Sequence, residues 1–447
     1  MTTAAPRSAP SRVASHDAEP RIDTVVLQPT PFCNIDCNYC YLPQRSDKSV
    51  MRQETVAELF KQIFASGWAN PHLTVIWHAG EPLVLPVAYY EAAFTLIESL
   101  RPPEIEVQHA IQTNGMLINS DWCAFFKKWG VGLGVSVDGP RHLHDAHRVT
   151  RSGRGTFDRT IAGIRTLRRE DVPFHVITVL GAESVDAPEA LLDFYREEGI
   201  EDVCFNVEES EGDHVSALLG DGSPQRRFRA FLERFWTLSR QTPQIHFIRE
   251  IDSMLPRVFR PDDTPMANSQ VEPFGMMNVD CHGNVSSYSP ELLGLKNDDY
   301  NDFVIGNIHA QSLEEMRRSP PMMAMTRDIA AGVDVCRREC EYFSVCGGGS
   351  PINKLAENGT FASGRTGFCS LVQMVPTDII LDAFDRLQQS LAEGASPYAA
   401  LDPLRELMTA PQSRPEPRTL RDAPGTHSDT VSTPSRRIID ILVRSQP

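Results

Sequence analysis

Strand-like and helix-like stretches alternate through the first half of the chain, and this alternation limits the possible folds more than any other feature. Six apolar runs rich in β-branched residues are separated by longer amphipathic stretches of helical period. Strands joined through single helices are typical of parallel βαβ units, so six repeats predict an α/β fold with a partial (β/α)6 barrel of the TIM type. The predicted strands are residues 24–27, 73–77, 107–112, 132–137, 174–180 and 203–207, and the predicted helices include 53–65, 87–100, 121–129, 157–169, 188–198, 224–240 and 377–392.

The rest of the chain changes character in ways that predict domain boundaries. Residues 1–20 are rich in Ala, Ser and Pro without periodicity, which predicts a disordered segment before a barrel at 21–240. Residues 271–372 hold few long apolar periodicities, many glycines and a group of cysteines, which fits a small domain stabilised by metal. We therefore predict that residues 241–394 form a bridging region and a small α+β domain that ends in a helix. Residues 395–447 read as a flexible tail rich in Pro and Ser.

The charge balance excludes several classes of partner. There are 43 basic and 59 acidic residues among 447, a formal net charge of −16, which repels phosphate backbones and anionic lipids. We therefore expect neither a nucleic-acid nor a membrane partner. No apolar run reaches the length of a membrane span, and no secretory signal opens the chain. These features predict a cytoplasmic protein.

Three cysteines lie close together just after the first predicted strand. Cys33, Cys37 and Cys40 are separated by three and then two residues, so their thiolates can bind three corners of a four-iron, four-sulfur (4Fe–4S) cluster. The fourth iron then has no protein ligand and is free to chelate a substrate or cofactor. The alternative is a structural zinc site, which normally has a fourth ligand at a matching spacing, and none follows closely here.

This triplet, with Tyr39 before its third cysteine, resembles the signature of the radical S-adenosylmethionine (SAM) superfamily. The resemblance implies a radical SAM barrel, a 4Fe–4S cluster that binds SAM, and SAM-binding motifs at the ends of successive strands. Gly80 and Glu81 resemble the family's Gly-Glu motif, whose role is to receive the SAM amino group, and a charged residue further on is placed to pair with the SAM carboxylate. The SAM contacts implied are Tyr39, Gly80, Glu81, Asn114, Ser136, Asp138 and Arg148. No catalytic residue is assigned beyond the cluster ligands, and His78 either faces the substrate or fills the barrel top.

A second group of cysteines resembles the SPASM or twitch-like extension of radical SAM enzymes that modify peptides. That extension typically binds two auxiliary clusters, but here Tyr288 and Ser350 stand where two of its cysteines would be. The resemblance therefore implies one auxiliary 4Fe–4S cluster, and it leaves Cys281 without an assigned partner. Zinc remains an open alternative, since four thiolates suit it equally well. The implied ligands are Cys336, Cys340, Cys346 and Cys369.

The same region predicts a subfamily. Sulfatase-maturing members carry an Asp where this chain has Ser289. Four stretches resemble the peptide maturases that form cyclophane crosslinks, at residues 33–43, 205–212, 289–294 and 347–359. The resemblance implies a precursor peptide as substrate, a flavodoxin- or ferredoxin-like reductant, and Glu208, Glu209 and Glu291 as candidate substrate contacts. Two alternatives stay open: insertion of sulfur into a small molecule or nucleotide sugar, with the auxiliary cluster as sulfur donor, and a zinc-stabilised binding scaffold without catalysis.

Overall fold

The computed structural model describes residues 19–210, 214–220, 222–241, 244–260 and 266–393. The chain divides into two compact units, Met1–Leu381 and Asp382–Pro447. Of the second unit only residues 382–393 are described, and nearly all of them belong to one helix. The segment predicted to be disordered, residues 1–20, lies outside the described residues except for its last two, and so does the whole of the predicted tail at 395–447.

One ten-stranded sheet runs through the first unit, in the order β10-β9-β8-β1-β2-β3-β4-β5-β6-β7. Strands β1 to β7 are consecutive and parallel, because a helix crosses back between each of the first six. The prediction of an α/β fold with six parallel repeats is confirmed. The strands are β1 Ile22–Leu27, β2 Ala69–Trp77, β3 Glu106–Thr113, β4 Gly132–Ser136, β5 His175–Leu180, β6 Asp202–Val207, β7 Phe247–Ile248, β8 Met276–Val279, β9 Asn284–Ser287 and β10 Gly306–Asn307.

The six helices predicted between residues 53 and 240 lie where periodicity predicts them, within one or two residues, whereas the short helix Arg141–His147 was not predicted. Short 3-10 helices follow several strands, and a π-helical turn links the last two α-helices. The α-helices are α1 Gln53–Ser66, α2 Val87–Leu100, α3 Ser120–Trp129, α4 Arg141–His147, α5 Phe157–Arg169, α6 Pro188–Glu198, α7 Pro224–Ser239, α8 Arg249–Asp252, α9 Leu255–Val258, α10 Leu313–Arg317, α11 Pro320–Glu339, α12 Phe343–Cys346, α13 Pro351–Asn358, α14 Gly367–Cys369 and α15 Val375–Ala392.

The cysteine-rich region contains a long helix that the sequence analysis missed. The expectation of few long periodicities between residues 271 and 372 is wrong for α11, which has 20 residues. Its buried positions do recur at helical spacing, but they include Thr326, Gly332 and Cys336, which carry little apolar surface. A pattern of hydrophobic residues alone therefore does not reveal this helix.

Side chains of β2 alternate between the two faces of the sheet, and this alternation separates the core from the barrel interior. Leu73, Val75 and Trp77 are fully buried, and Trp77 stacks on Phe94 of α2 with ring centroids 5.6 Å apart. Thr74 and Ile76 on the opposite face are partly exposed. His78 continues this second series just beyond the strand, so its side chain follows the inner face.

The cysteine-rich region continues the sheet of the barrel. Strand β8 pairs in parallel with β1, and β9 and β10 add to it as antiparallel neighbours. As a result Cys281, which follows β8, lies at the same edge of the sheet as the loop after β1. The proposed boundary between residues 240 and 241 thus separates segments that share one sheet, and the division into domains stays a prediction.

The helical stretch Gly367–Ala392 is long and apolar enough, by length and composition, to span a membrane. Core helices meet the same criterion, and Leu371, Ile379 and Ile380 of this stretch are buried in the first unit. The helix is therefore weak evidence for a membrane span, and the expectations of no membrane partner and of a cytoplasmic location stay predictions.

Candidate active site

The three cysteines of the first group lie together on the loop that follows β1. Cys33 and Cys40 are half-buried and pack, with Tyr39, against a cluster of Ile35, Cys37 and Met116. The Cys40 N–H donates to the Cys37 carbonyl at 3.3 Å, so the second and third cysteines share one tight turn. The loop therefore presents three thiols from a single short stretch of backbone.

Two arginines hold the backbone of this loop. Arg45 donates from Nη1 to the Cys37 carbonyl at 2.9 Å, and Arg151 donates from Nη2 to the Cys33 carbonyl at 3.0 Å. The Asp36 N–H donates to the Val149 carbonyl at 2.7 Å. The segment after α4 and the loop after β1 are thus fixed to each other, which gives the thiols a defined position. Sequence reasoning did not single out either arginine.

Burial controls the protonation of these thiols. Burial raises the pKa of Cys33 to about 12, with a smaller contribution from the charge of Glu81, and burial raises the pKa of Cys37 to about 11. Only thiolates ligate iron, so binding a cluster here must release protons. Three thiols on one loop, in surroundings largely shielded from solvent, fit the open 4Fe–4S cluster that the spacing predicts.

The Gly-Glu motif at the end of β2 locks this loop to the neighbouring strands. Gly80 has φ +117°, and a Cβ there would lie 2.2 Å from the Thr30 carbonyl oxygen, so only glycine fits. Glu81 is buried, and its carboxylate accepts hydrogen bonds from the backbone of Leu83 at 3.0 Å, the hydroxyl of Thr113 at 2.7 Å and the backbone of Asn114 at 2.8 Å. In this structure Glu81 joins the ends of β2 and β3. A contact with the SAM amino group stays a prediction.

Asn114 extends this network to the thiol loop. Its side-chain amide donates to Oδ1 of Asn34 at 2.7 Å, and its own Oδ1 accepts from the Met116 N–H at 3.1 Å. Asn34 lies directly after Cys33, so Asn114 positions the loop from the end of β3. Sequence reasoning missed Asn34, which no motif distinguishes.

A buried ion pair lies at the end of β4. Asp138 accepts from Nε of Arg148 at 2.9 Å and from the hydroxyl of Tyr39 at 2.6 Å, and its other oxygen accepts from the Val179 N–H at 3.1 Å. Burial alone would raise the pKa of Asp138, but the charge of Arg148 and these hydrogen bonds outweigh it and hold the pKa below its usual value. The structure brings three predicted residues together, although they bind one another. Their contacts with SAM stay predictions.

Ser136 and His78 lie on the inner side of the strand ends. The Ser136 hydroxyl accepts from the side-chain amide of Gln112 at 2.9 Å. His78 has a buried Nδ1 that finds no hydrogen-bond partner among the described residues, and burial lowers the pKa of this side chain to about 4. His78 is therefore a neutral imidazole at the mouth of the barrel, beside the Gly-Glu motif.

The four cysteines of the second group line one cavity. Cys336, Cys340, Cys346 and Cys369 surround a space with an empty volume of about 360 Å³, part of it open to solvent. A single zinc ion needs its sulfurs at about 2.3 Å from one point. No three His, Cys, Asp or Glu side chains in the described part of the chain converge closely enough to hold one ion. The four thiols thus line one cavity, and their binding of an auxiliary cluster rather than zinc stays a prediction.

Tyr288 and Ser350 stand at the two positions where ligands of a further cluster would be, and Ser350 lines the cavity of the four cysteines. Tyr288 is fully buried, adopts φ +74°, and shares a hydrogen bond of 2.7 Å with the hydroxyl of Thr326. The Ser289 hydroxyl donates to Glu291, and burial raises the pKa of this carboxyl while that hydrogen bond acts in the opposite direction. Cys281 is buried, and its ligand role stays unassigned.

The other predicted substrate contacts lie after β6. Glu208 is buried and accepts from the Ser216 hydroxyl at 3.1 Å, and its second oxygen lies 3.1 Å from Nε2 of His214. Glu209 accepts from the side-chain amide of Asn353 on α13 at 2.5 Å. Both carboxylates therefore hold the loop after β6 in place, and Glu209 ties it to the cysteine-rich region.

Comparison with known proteins identifies similar families and relatives. A family model for the radical SAM superfamily matches residues 27–195. The uncharacterized protein sll1766 of Synechocystis sp. is 36% identical over 365 residues, which cover 81% of this chain and 92% of that protein. The serine-type anaerobic sulfatase-maturating enzyme of Bacteroides thetaiotaomicron is 25% identical over 363 residues, which cover 77% of this chain and 86% of that enzyme.

A solved structure has the same fold. The structure described as native anSMEcpe with bound AdoMet and Cp18Cys peptide superposes with a TM-score of 0.66 at 18% sequence identity. The match covers 83% of this chain and 99% of that one. The likeness therefore spans both the parallel barrel and the cysteine-rich region.

Proposed function

The chain belongs to the radical SAM superfamily, and we propose that it crosslinks side chains of a ribosomally made precursor peptide, as a cyclophane-forming maturase. As a member of the superfamily it is an enzyme that uses a 4Fe–4S cluster and SAM. When bound, these groups supply a 5′-deoxyadenosyl radical, which abstracts a hydrogen atom from an unactivated carbon. The residues of this chain hold and orient the reacting groups and shield them from water.

The observation that carries the choice of substrate is the extent of the likeness to a sulfatase-maturating enzyme. That likeness covers 77% of this chain and includes the cysteine-rich region as well as the barrel. The name of that enzyme says that it modifies a protein, which supports a polypeptide substrate here. Ser289 in place of the Asp expected in sulfatase maturation, next to Tyr288, supports a different reaction on that polypeptide.

The strand ends position the reacting groups. Glu81 fixes the end of β2 against β3, Asn114 fixes the thiol loop, and Asp138 with Arg148 fixes the end of β4. These contacts are internal and mostly buried, so side chains of this chain itself fix the edge of the barrel. A radical must be held close to its target carbon and away from water, and a rigid rim serves that purpose.

Crosslinking also requires an electron acceptor. Joining a carbon to an aromatic ring removes one hydrogen atom, which leaves with the adenosyl carbon, and then one proton and one electron. An auxiliary 4Fe–4S cluster would accept that electron. The residues suited to hold it are the four cysteines that line one cavity, Cys336, Cys340, Cys346 and Cys369. A flavodoxin- or ferredoxin-like protein would supply the electron that starts each turnover.

Anaerobic reconstitution of the full chain tests the two cluster sites. We expect about eight irons and eight sulfides, that is four of each per cluster, and release of 5′-deoxyadenosine with dithionite. Cys33→Ala should abolish that release while the chain stays folded. Cys346→Ala should retain part of it and lose about half of the iron. Bound zinc without SAM cleavage would instead establish a binding scaffold.

Coexpression with short peptides encoded beside the gene tests the substrate. A peptide with repeated aromatic residues should lose the mass of two hydrogens for each crosslink, and tandem mass spectrometry should place the link at an aromatic side chain. The Cys346→Ala variant serves as control and should leave the peptide unmodified. A sulfur-containing small molecule in place of a crosslinked peptide would establish the sulfur-insertion alternative and overturn this proposal.

A further inference from the structure

We propose that Lys354 is the buried counter-charge of the four-cysteine site and that it stabilises the reduced state of the cluster bound there. The inference rests on the proposed function, because it takes the four thiols to bind an auxiliary iron–sulfur cluster. The residue concerned is not a cluster ligand, and its effect can be measured as a change in the midpoint potential of that cluster.

Lys354 is buried beside the four thiols. It lies on α13, is only 3% exposed, and lines the same cavity as Cys336, Cys340, Cys346 and Cys369. Gly332 of α11 lies beside the lysine, and a Cβ at that position would lie 3.2 Å from the lysine Nζ and 2.1 Å from the Phe361 carbonyl oxygen. The packing therefore leaves room for the ammonium group and for little else.

The ammonium group has no acidic partner in the described part of the chain. Two acidic residues of this region bind other groups: Glu209 accepts from Asn353, the residue before Lys354, and Glu357 on the same helix accepts from the backbone of Gly367 at 2.6 Å and Phe368 at 3.0 Å. Burying a charge without a partner is strongly unfavourable. An anion in the cavity removes that cost.

A cluster on four thiolates is such an anion. Its net charge is negative in the oxidised state and becomes more negative by one unit when it takes up an electron. A fixed positive charge close by therefore favours the reduced state and raises the potential. Arg365 also borders the cavity, but it is exposed and bonded to Ser370, so solvent screens its charge more than that of Lys354.

The test is a potentiometric titration, followed by electron paramagnetic resonance, of the full chain carrying Cys33→Ala, so that the auxiliary cluster alone gives the signal. Lys354→Met should lower the midpoint potential relative to this parent, and Lys354→Arg should restore most of the shift. The matched control is Arg338→Met on α11, which removes the same charge from an exposed position between two of the ligands.

A second measurement uses the same variants without iron. Lys354→Met should raise the free energy of unfolding of the iron-free protein, because it removes a buried charge that has no partner. An unchanged potential, or iron-free Lys354→Met protein less stable than its parent, would overturn the role of Lys354 and leave the proposed function intact. Absence of iron in the Cys33→Ala parent would refute the auxiliary cluster itself, and with it this inference.

Discussion

Two buried carboxylates, Glu81 and Asp138, show how single residues organise the edge of the barrel. Each lies at the carboxyl end of a parallel strand and accepts hydrogen bonds from groups on a neighbouring strand end. A buried carboxylate is tolerated only when donors or a cation surround it. Glu81 is surrounded by neutral donors, and burial raises its pKa, whereas Asp138 has Arg148 and a lowered pKa. The Asp138 site therefore contains a cation that the Glu81 site lacks, although both residues are acidic.

The Asp138–Arg148 pair yields a prediction at the scale of residues. Both side chains are at least 92% buried, so Arg148→Met leaves Asp138 uncompensated and should lower the free energy of unfolding by about 3–5 kcal/mol. Adding Asp138→Asn should recover part of the loss. Chemical denaturation of the iron-free protein measures both.

The matched control for this pair is Arg141→Met, which breaks an exposed ion pair with Asp158. Its effect should be small, because solvent screens exposed pairs. Equal losses in the Arg148 and Arg141 variants would contradict the assigned role of the buried pair.

At the scale of elements, the loops after β1 and β2 behave as one interlocked unit. The Glu81 N–H donates to the Phe32 carbonyl at 2.9 Å, and Gly80 lies against Thr30. The thiol loop can therefore keep its position only while the backbone of the Gly-Glu motif approaches it closely. Secondary structure alone does not impose this, since both segments are irregular.

Gly80→Ala should separate these two loops. Its Cβ would clash with backbone, so we expect reconstituted protein to lose about half of its iron, that of the first cluster, together with SAM cleavage. Gly67→Ala is the matched control, because Gly67 also has a positive φ, +74°, but nothing lies within 4 Å of its Cβ position. It should cost about 1–2 kcal/mol of stability and retain full iron. Full iron in the Gly80 variant would refute the steric argument.

At the scale of the molecule, neutral histidines are distributed through the buried parts of the barrel. Burial lowers the pKa of His78 and His144 to about 4 and that of His109 to about 3. Charge from Arg148 adds to the effect at His144. An unfolded histidine titrates near 6.5, so below that pH the unfolded chain binds more protons than the folded one.

The stability of the iron-free protein should therefore fall as the pH is lowered from about 6.5 towards 4. Each fully buried histidine contributes a slope of about 1.4 kcal/mol per pH unit in this window. His109→Phe should reduce the slope by the contribution of one proton, measured by denaturation at several pH values. An unaltered slope in the His109 variant would show that His109 is not neutral when buried.

The sequence by itself determined the class of fold and the presence of two separate groups of cysteines. Periodicity places β1 to β6 because apolar residues must face the core at a spacing that the backbone dictates, and Cys33, Cys37 and Cys40 are local enough for their spacing alone to indicate a cluster. The tertiary structure decided what depends on contacts between distant segments. It paired Asp138 with Arg148, gathered Cys336, Cys340, Cys346 and Cys369 around one cavity, and buried Lys354 beside them. No periodicity encodes such contacts, because they form only when separate elements pack together.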